Sequence, residues 1–182
     1  MSVTVVIPSH ASRYAHQPLP SNYQRVTVPG TRAGTASTER YRGAMTAEWQ
    51  DPHTIEKMLD ATETWAVVGL SDNPGRTAWS IARLLQESGK RIVPIHPDAP
   101  VVHGEQGYAT LAEVPFPIDV VDVFRRSSEA GEFADQAVAI GAGGVWFQLG
   151  VIDEDAFART TAAGVPMVMD TCPAIEWRRR GR

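Results

Sequence analysis

The stretch VVGLSDNPGR, Val67 to Arg76, carries an apolar run into a glycine and then a serine, an acid, an amide, a proline and an arginine. A buried-type strand that ends this way and gives onto a helix start is suited to holding an anion. The first N–H groups of the helix lack partners of their own, and the helix dipole favours negative charge there. Arg76 adds a guanidinium whose planar fork matches phosphate oxygens. The plainer alternative is an arginine solvated at the surface. Phosphate binding is the chemistry this loop offers.

Other residue types with chemical potential form weaker patterns. The dinucleotide fingerprint G-x-G-x-x-G is incomplete, because Gly69 is present but Ser71 and Pro74 take the next two glycine places. An NAD site would also need an acid after the next strand to hold a ribose hydroxyl, and His96 stands there in PIHP. Gly69-Leu70-Ser71 resembles the start of a nucleophile elbow, but Asn73 replaces its second glycine. His10, His16, His53, His96 and His103 lack metal-ligand spacing, and neither a CxxC nor a P-loop occurs. Asp170, Cys172 and Glu176 form a cluster in which the thiol is either a reactive group near a helix start or a small buried residue. In the second case Glu176 would pair with the arginines that follow. Phe124, Arg125 and Arg126 read as a stacking platform with a phosphate anchor, or as core followed by solvated charge. Trp146 reads as core.

These residues need a frame, and the apolar patterning supplies one. DPHTIEKMLDA predicts a helix with Asp51 as N-cap, Pro52 at its first position and Ile55, Met58 and Leu59 on one face. TWAVVGL, RIVPIH, IDVVDVF, GVWFQLG and PMVMD read as buried strands. Between them run a helix stopping at Gly89 with Ile81, Leu84 and Leu85 inward, one capped by Ser127 or Ser128 and closed by Gly141, and one with acids in its first turn and Gly164 as stop. Continuous apolar strands alternating with amphipathic helices imply an α/β Rossmann-like, doubly wound parallel sheet of five strands with helices on both faces. Right-handed crossovers suggest the order 3-2-1-4-5. A ligand crevice is then expected between the carboxyl ends of the first and fourth strands, where SDNPGR faces QLG.

Length and composition limit the alternatives. The 182 residues, 43% of them hydrophobic, can bury a core without disulfides, and the single Cys172 fits a reducing, cytoplasmic setting. A formal charge of −4 and the lack of nucleic-acid motifs argue against nucleic-acid binding, and no apolar run is long enough for a membrane span. Residues 1–44 are polar and carry no acid before Glu39; they are expected to be a disordered or mis-assigned extension ahead of a start at Met45. The domain is expected to occupy residues 45–182.

Taken together, VVGLSDNPGRTAWSIARLLQESGKRIVPIHP, DVVDVFRR, GVWFQLGVIDEDA and VMDTCPAIE resemble the small stand-alone CoA-binding proteins, relatives of the CoA-binding domain of the succinyl-CoA synthetase α subunit. The resemblance runs from about Asp51 to Glu176. It implies a Rossmann-like domain that binds coenzyme A or an acyl-CoA without a reaction of its own. Through it Ser71, Asn73 and Arg76 are expected at the phosphates, Gly69 among the cofactor-binding residues, and the turn Pro94, His96 and Pro97 at the nucleotide end. Val123, Phe124 and Arg125 are expected beside the adenine or its phosphate, with Gln148, Leu149 and Gly150 at the crevice floor. The family usually has asparagine where this chain has His96, and a histidine touching the ligand would couple binding to pH near neutrality. The residues after Asp170 number about a dozen, so the chain alone is not expected to make or cleave a thioester. An NAD(P)-dependent oxidoreductase, or the CoA-binding subunit of a multi-chain ligase, remains the alternative. Association with a second copy also stays open.

Overall fold

The structure, a computed structural model, describes residues 48–181. The expectations for residues 1–44, for a start at Met45 and for His10 and His16 lie outside them.

Helix α1 (Pro52–Ala61) begins as its residues require. Asp51 accepts hydrogen bonds from the Thr54 N–H at 2.7 Å and the Thr54 hydroxyl at 2.8 Å. These bonds hold its carboxyl below the usual carboxylate range. Ile55, Met58 and Leu59 are buried. Just before α1, the Gln50 amide donates to the Asp170 carbonyl at 2.7 Å, and Trp49 is buried.

The strands are β1 (Thr64–Val68), β2 (Arg91–Ile95), β3 (Val120–Val123), β4 (Val145–Phe147) and β5 (Met167–Val168). All pair in parallel. The helices after α1 are α2 (Thr77–Glu87), α3 (Ser127–Ala139), α4 (Glu154–Ala162) and α5 (Pro173–Arg179). Alternate residues of each strand enter opposite cores. Val67, Val120 and Trp146 pack with α1, α2 and α5, while Val68, Val121 and Phe147 pack with α3 and α4. The doubly wound parallel sheet expected from the patterning is present.

Its strand order is not the one expected. The sheet runs β2-β1-β3-β4-β5, so β3 lies against β1 rather than outside β2. Pro94 supplies a physical reason. The Pro94 carbonyl accepts from the Tyr108 N–H at 2.9 Å, and the His96 N–H donates to the Tyr108 carbonyl at 3.0 Å. These bonds lie on the side of β2 away from β1, whose Gly69 N–H reaches the Ile95 carbonyl at 2.8 Å. By strand alternation the Pro94 nitrogen also faces outward. It has no hydrogen to give a further strand, so β2 is suited to an edge. Tyr108 covers that edge with a single bridge. Right-handed crossovers fix the hand of each connection but leave open the side on which the next strand inserts.

A second correction concerns α3. Neither Ser127 nor Ser128 caps it; Arg126 holds the N-cap position without a side-chain bond. The Ser127 hydroxyl instead accepts from the Ile152 N–H at 3.0 Å and so ties α3 to the loop after β4. The predicted stops Gly89, Gly141 and Gly164 all adopt positive φ.

Candidate functional site

The observed order moves the topological switch point to the gap between β1 and β3, where a doubly wound sheet opens toward ligands. The loops after these strands therefore meet directly. The Phe124 N–H donates to the Val68 carbonyl at 3.0 Å. Gly69 has φ +88°, and a Cβ there would lie 3.0 Å from the Phe124 carbonyl oxygen. Close backbone approach accounts for a glycine at this position.

Beyond Gly69 the loop folds on itself. The Asn73 side-chain oxygen accepts from the Gly75 N–H at 2.9 Å, and the Asn73 carbonyl accepts from the Arg76 N–H at 3.1 Å. This turn delivers Arg76 to the N-cap of α2, where no side chain caps the helix. The amides of Thr77 and Ala78 fall in the first turn, which has no intrahelical acceptors, and both residues line a crevice of about 720 Å³. Arg76 is exposed at its rim and pairs with no acid among the described residues. Two independent sources of positive potential, a guanidinium and an uncapped helix start, thus meet at one mouth.

Across the mouth stands Arg125. It pairs with Glu129 at 3.0 Å, and both side chains are about two-fifths exposed. An exposed pair of this kind is weak, so a ligand phosphate can compete for the arginine. Phe124 lines the crevice while packing into the core beside α2. His96 also lines it, but its ring is engaged locally. Its Nδ1 accepts from the Asp98 N–H at 3.2 Å and lies 3.4 Å from the Asp98 carboxylate.

The crevice thus gathers Gly69, Ser71, Arg76, His96, Phe124, Arg125, Gln148 and Leu149 from the expected set. The remaining expected residues do not line it. Asn73 shapes its own turn. Pro94 is buried at the sheet edge, Pro97 is exposed in the turn beyond β2, and Val123 is fully buried in the core. Gly150 sits at φ +80° with its N–H bonded to the Asp170 carboxylate at 2.8 Å, which anchors the loop after β4.

Sequence reasoning missed Asp122. It lies in β3 with no exposure, on the face shared with Val67 and Trp146. The Gln148 amide donates to its Oδ1 at 2.7 Å, while Oδ2 has no hydrogen-bond partner among the described residues. Burial pushes its pKa up to about 8, against the opposing effect of the Gln148 bond. A carboxyl within the apolar run VVDV was the available signal, since such a group is rarely buried without purpose.

Cys172 lines the crevice floor and is buried. Desolvation, with smaller contributions from the nearby Asp122 and Glu176 charges, pushes its thiol up from the ordinary value. Glu176 accepts from the Thr171 hydroxyl at 2.5 Å and pairs with Arg179 at 2.8 Å. The cluster follows the plainer reading, a buried thiol beside an acid engaged with a later arginine. Reaction of the native thiol with a disulfide reagent at pH 7.4 is expected to be at least tenfold slower than in urea-unfolded protein, because both access and thiolate are scarce. Equal rates in the two states would contradict this account of the floor.

Among the described residues no group of His, Cys, Asp and Glu is arranged to hold a metal ion, and no helix is long and apolar enough to cross a membrane.

Comparison with known proteins bears on the same region. Residues 63–178 match the family model described as CoA binding domain. The protein YneT of Bacillus subtilis (strain 168) is 34% identical over 118 residues, which cover 65% of this chain and 87% of YneT. A protein of Pyrococcus horikoshii OT3, described as hypothetical, has the same fold with a TM-score of 0.66 and 31% identity, over 70% of this chain and 89% of that one. The dinucleotide-forming acetyl-coenzyme A synthetase 1 of Ca. Korarchaeum cryptofilum aligns with a TM-score of 0.53 at 22% identity, over 63% of this chain and 27% of that one. That likeness concerns the fold alone.

Proposed function

The chain belongs to the CoA-binding domain family over residues 63–178, and from that premise we propose that its crevice holds coenzyme A or an acyl-CoA as a non-catalytic binding site, in a protein of the cytoplasm. The observation that carries the reading is the convergence of Arg76, the uncapped N-terminus of α2 and Arg125 at one mouth. A ligand with several phosphates suits that mouth. Ser71 and the first-turn amides of α2 take the phosphates nearest the helix, and Arg125 takes one from across the gap. Phe124 and His96 flank the nucleotide, and Leu149, 62% exposed, provides apolar contact at the edge of the floor. The place after β2 where an NAD site needs an acid is filled by His96, whose ring is tied to Asp98.

Two measurements test this. In calorimetry coenzyme A should bind more tightly than NAD, and equal or tighter NAD binding would favour the oxidoreductase alternative. Arg76→Ala should weaken coenzyme A binding roughly tenfold or more, the effect of a charged hydrogen bond to phosphate. The melting temperature should hardly change, since the side chain is exposed. Unchanged affinity would leave Arg125 as the principal phosphate ligand.

A further inference from the structure

The rim and the floor of the crevice differ in chemistry. Its arginines lie at the exposed rim. Its floor is uncharged and largely buried: Gln148 is 5% exposed, Cys172 7% and Val151 8%. Beneath Gln148 lies Asp122, fully buried, and a 2.7 Å bond from the Gln148 amide nitrogen to Asp122 Oδ1 joins the two. A phosphate moved from the rim to this floor would leave water without gaining a cation, which is costly. The uncharged portion of a ligand faces no such cost. In coenzyme A the long uncharged portion is the pantetheine arm, with its amides and terminal thiol.

The bond to Asp122 has a directional consequence. A primary amide is planar, with its donors and its acceptor on one carbon. Once the Gln148 nitrogen is engaged downward by Asp122, the carbonyl oxygen remains open to what enters the crevice that Gln148 lines. Without Asp122 the amide could turn over and present a donor instead.

Resting on the CoA reading above, we propose that Gln148 is a specificity-determining residue that accepts a hydrogen bond from an N–H of the pantetheine arm, and that Asp122 is a positioning residue that fixes the Gln148 amide in the accepting orientation. The pair therefore discriminates ligands by their arm and is indifferent to the phosphates. With its proton on Oδ2, the oxygen that has no partner among the described residues, a neutral Asp122 keeps Oδ1 as the acceptor for the Gln148 amide. Its raised pKa, about 8, agrees with that role.

The test compares two ligands that share the rim and differ at the floor: coenzyme A, and 3′-phosphoadenosine 5′-diphosphate, which lacks the arm. Affinities are measured by calorimetry at pH 7 for the full chain and its variants. Gln148→Leu and Asp122→Leu are expected to weaken coenzyme A binding roughly five- to tenfold, the worth of one neutral hydrogen bond, and to leave the nucleotide fragment unchanged. Asp122→Asn keeps an acceptor oxygen beside a donor, as a neutral acid does, and should retain coenzyme A affinity within about twofold. A role confined to folding would not yield this selectivity or this rescue. Equal losses for both ligands, or no loss in Gln148→Leu, overturn the proposal even if Asp122→Leu fails to fold. Failure of the unaltered protein to bind coenzyme A at all would instead overturn the functional reading, and this proposal with it.

Discussion

Asp122→Asn is expected to flatten the pH dependence of folding stability and to gain on the unaltered protein as pH rises. In the native state the Asp122 carboxyl keeps its proton up to about pH 8, because burial disfavours the charge. In the unfolded chain an aspartate gives up its proton near its ordinary value, about 3.9. Between these values the native state binds more protons than the unfolded state, so raising the pH favours unfolding. The stabilisation is fully present below about pH 4, declines across the window and is gone once the pH has passed the folded pKa. Each pH unit inside the window corresponds to about 1.4 kcal/mol, so from about pH 5 to about pH 7.5 the loss is roughly 3 kcal/mol. Asparagine carries no such proton. Urea unfolding of both proteins at a series of pH values should show the stability difference shifting by that amount in favour of the variant. Parallel profiles would mean that Asp122 is ionised inside the fold.

The second large effect is expected at Gly69. Gly69→Ala must place a side chain at φ +88° and bring its Cβ to 3.0 Å from the Phe124 carbonyl oxygen. That oxygen belongs to backbone held by the bond from the Phe124 N–H to the Val68 carbonyl, so it cannot move away cheaply. Gly89→Ala is the matched control, with φ +85° but open space around the added atom. The control should cost about 1 kcal/mol, the strain of a left-handed residue alone. Gly69→Ala should cost about 2–4 kcal/mol, because the contact adds to the strain. It should also lower coenzyme A affinity, since relief comes only by spreading the two loops that form the crevice. Equal stability losses at the two positions, measured by urea unfolding, would show that the loops are not packed as described.

The contrast between these two residues shows where sequence reading succeeds. Gly69 ends an apolar run and precedes a helix start, so a loop built around it is legible from its neighbours. The same holds for Asp51 and Pro52 at the start of α1 and for the stops at Gly89, Gly141 and Gly164. Each of these features depends on bonds or backbone angles within a few residues. Arg76 at the helix N-cap follows from the same local logic. The alternation of apolar strands and amphipathic helices likewise implies the parallel, doubly wound sheet.

Tertiary structure decided what depends on distant partners. The apolar patterning and crossover hand suggest β3 outside β2, and the structure sets it against β1. Crossover handedness does not choose between those positions, and the decisive feature, Pro94 facing outward from an edge, is visible only once strand pairing is known. That change brings the Phe124 and Arg125 loop against Gly69 and makes it a wall of the crevice. Asp122 is a similar case. Its position in VVDV marks an unusual carboxyl, but only the approach of Gln148, 26 residues later in the chain, gives it a partner. A buried charge is tolerated or neutralised according to what surrounds it in space, and neighbours in the chain specify only part of those surroundings.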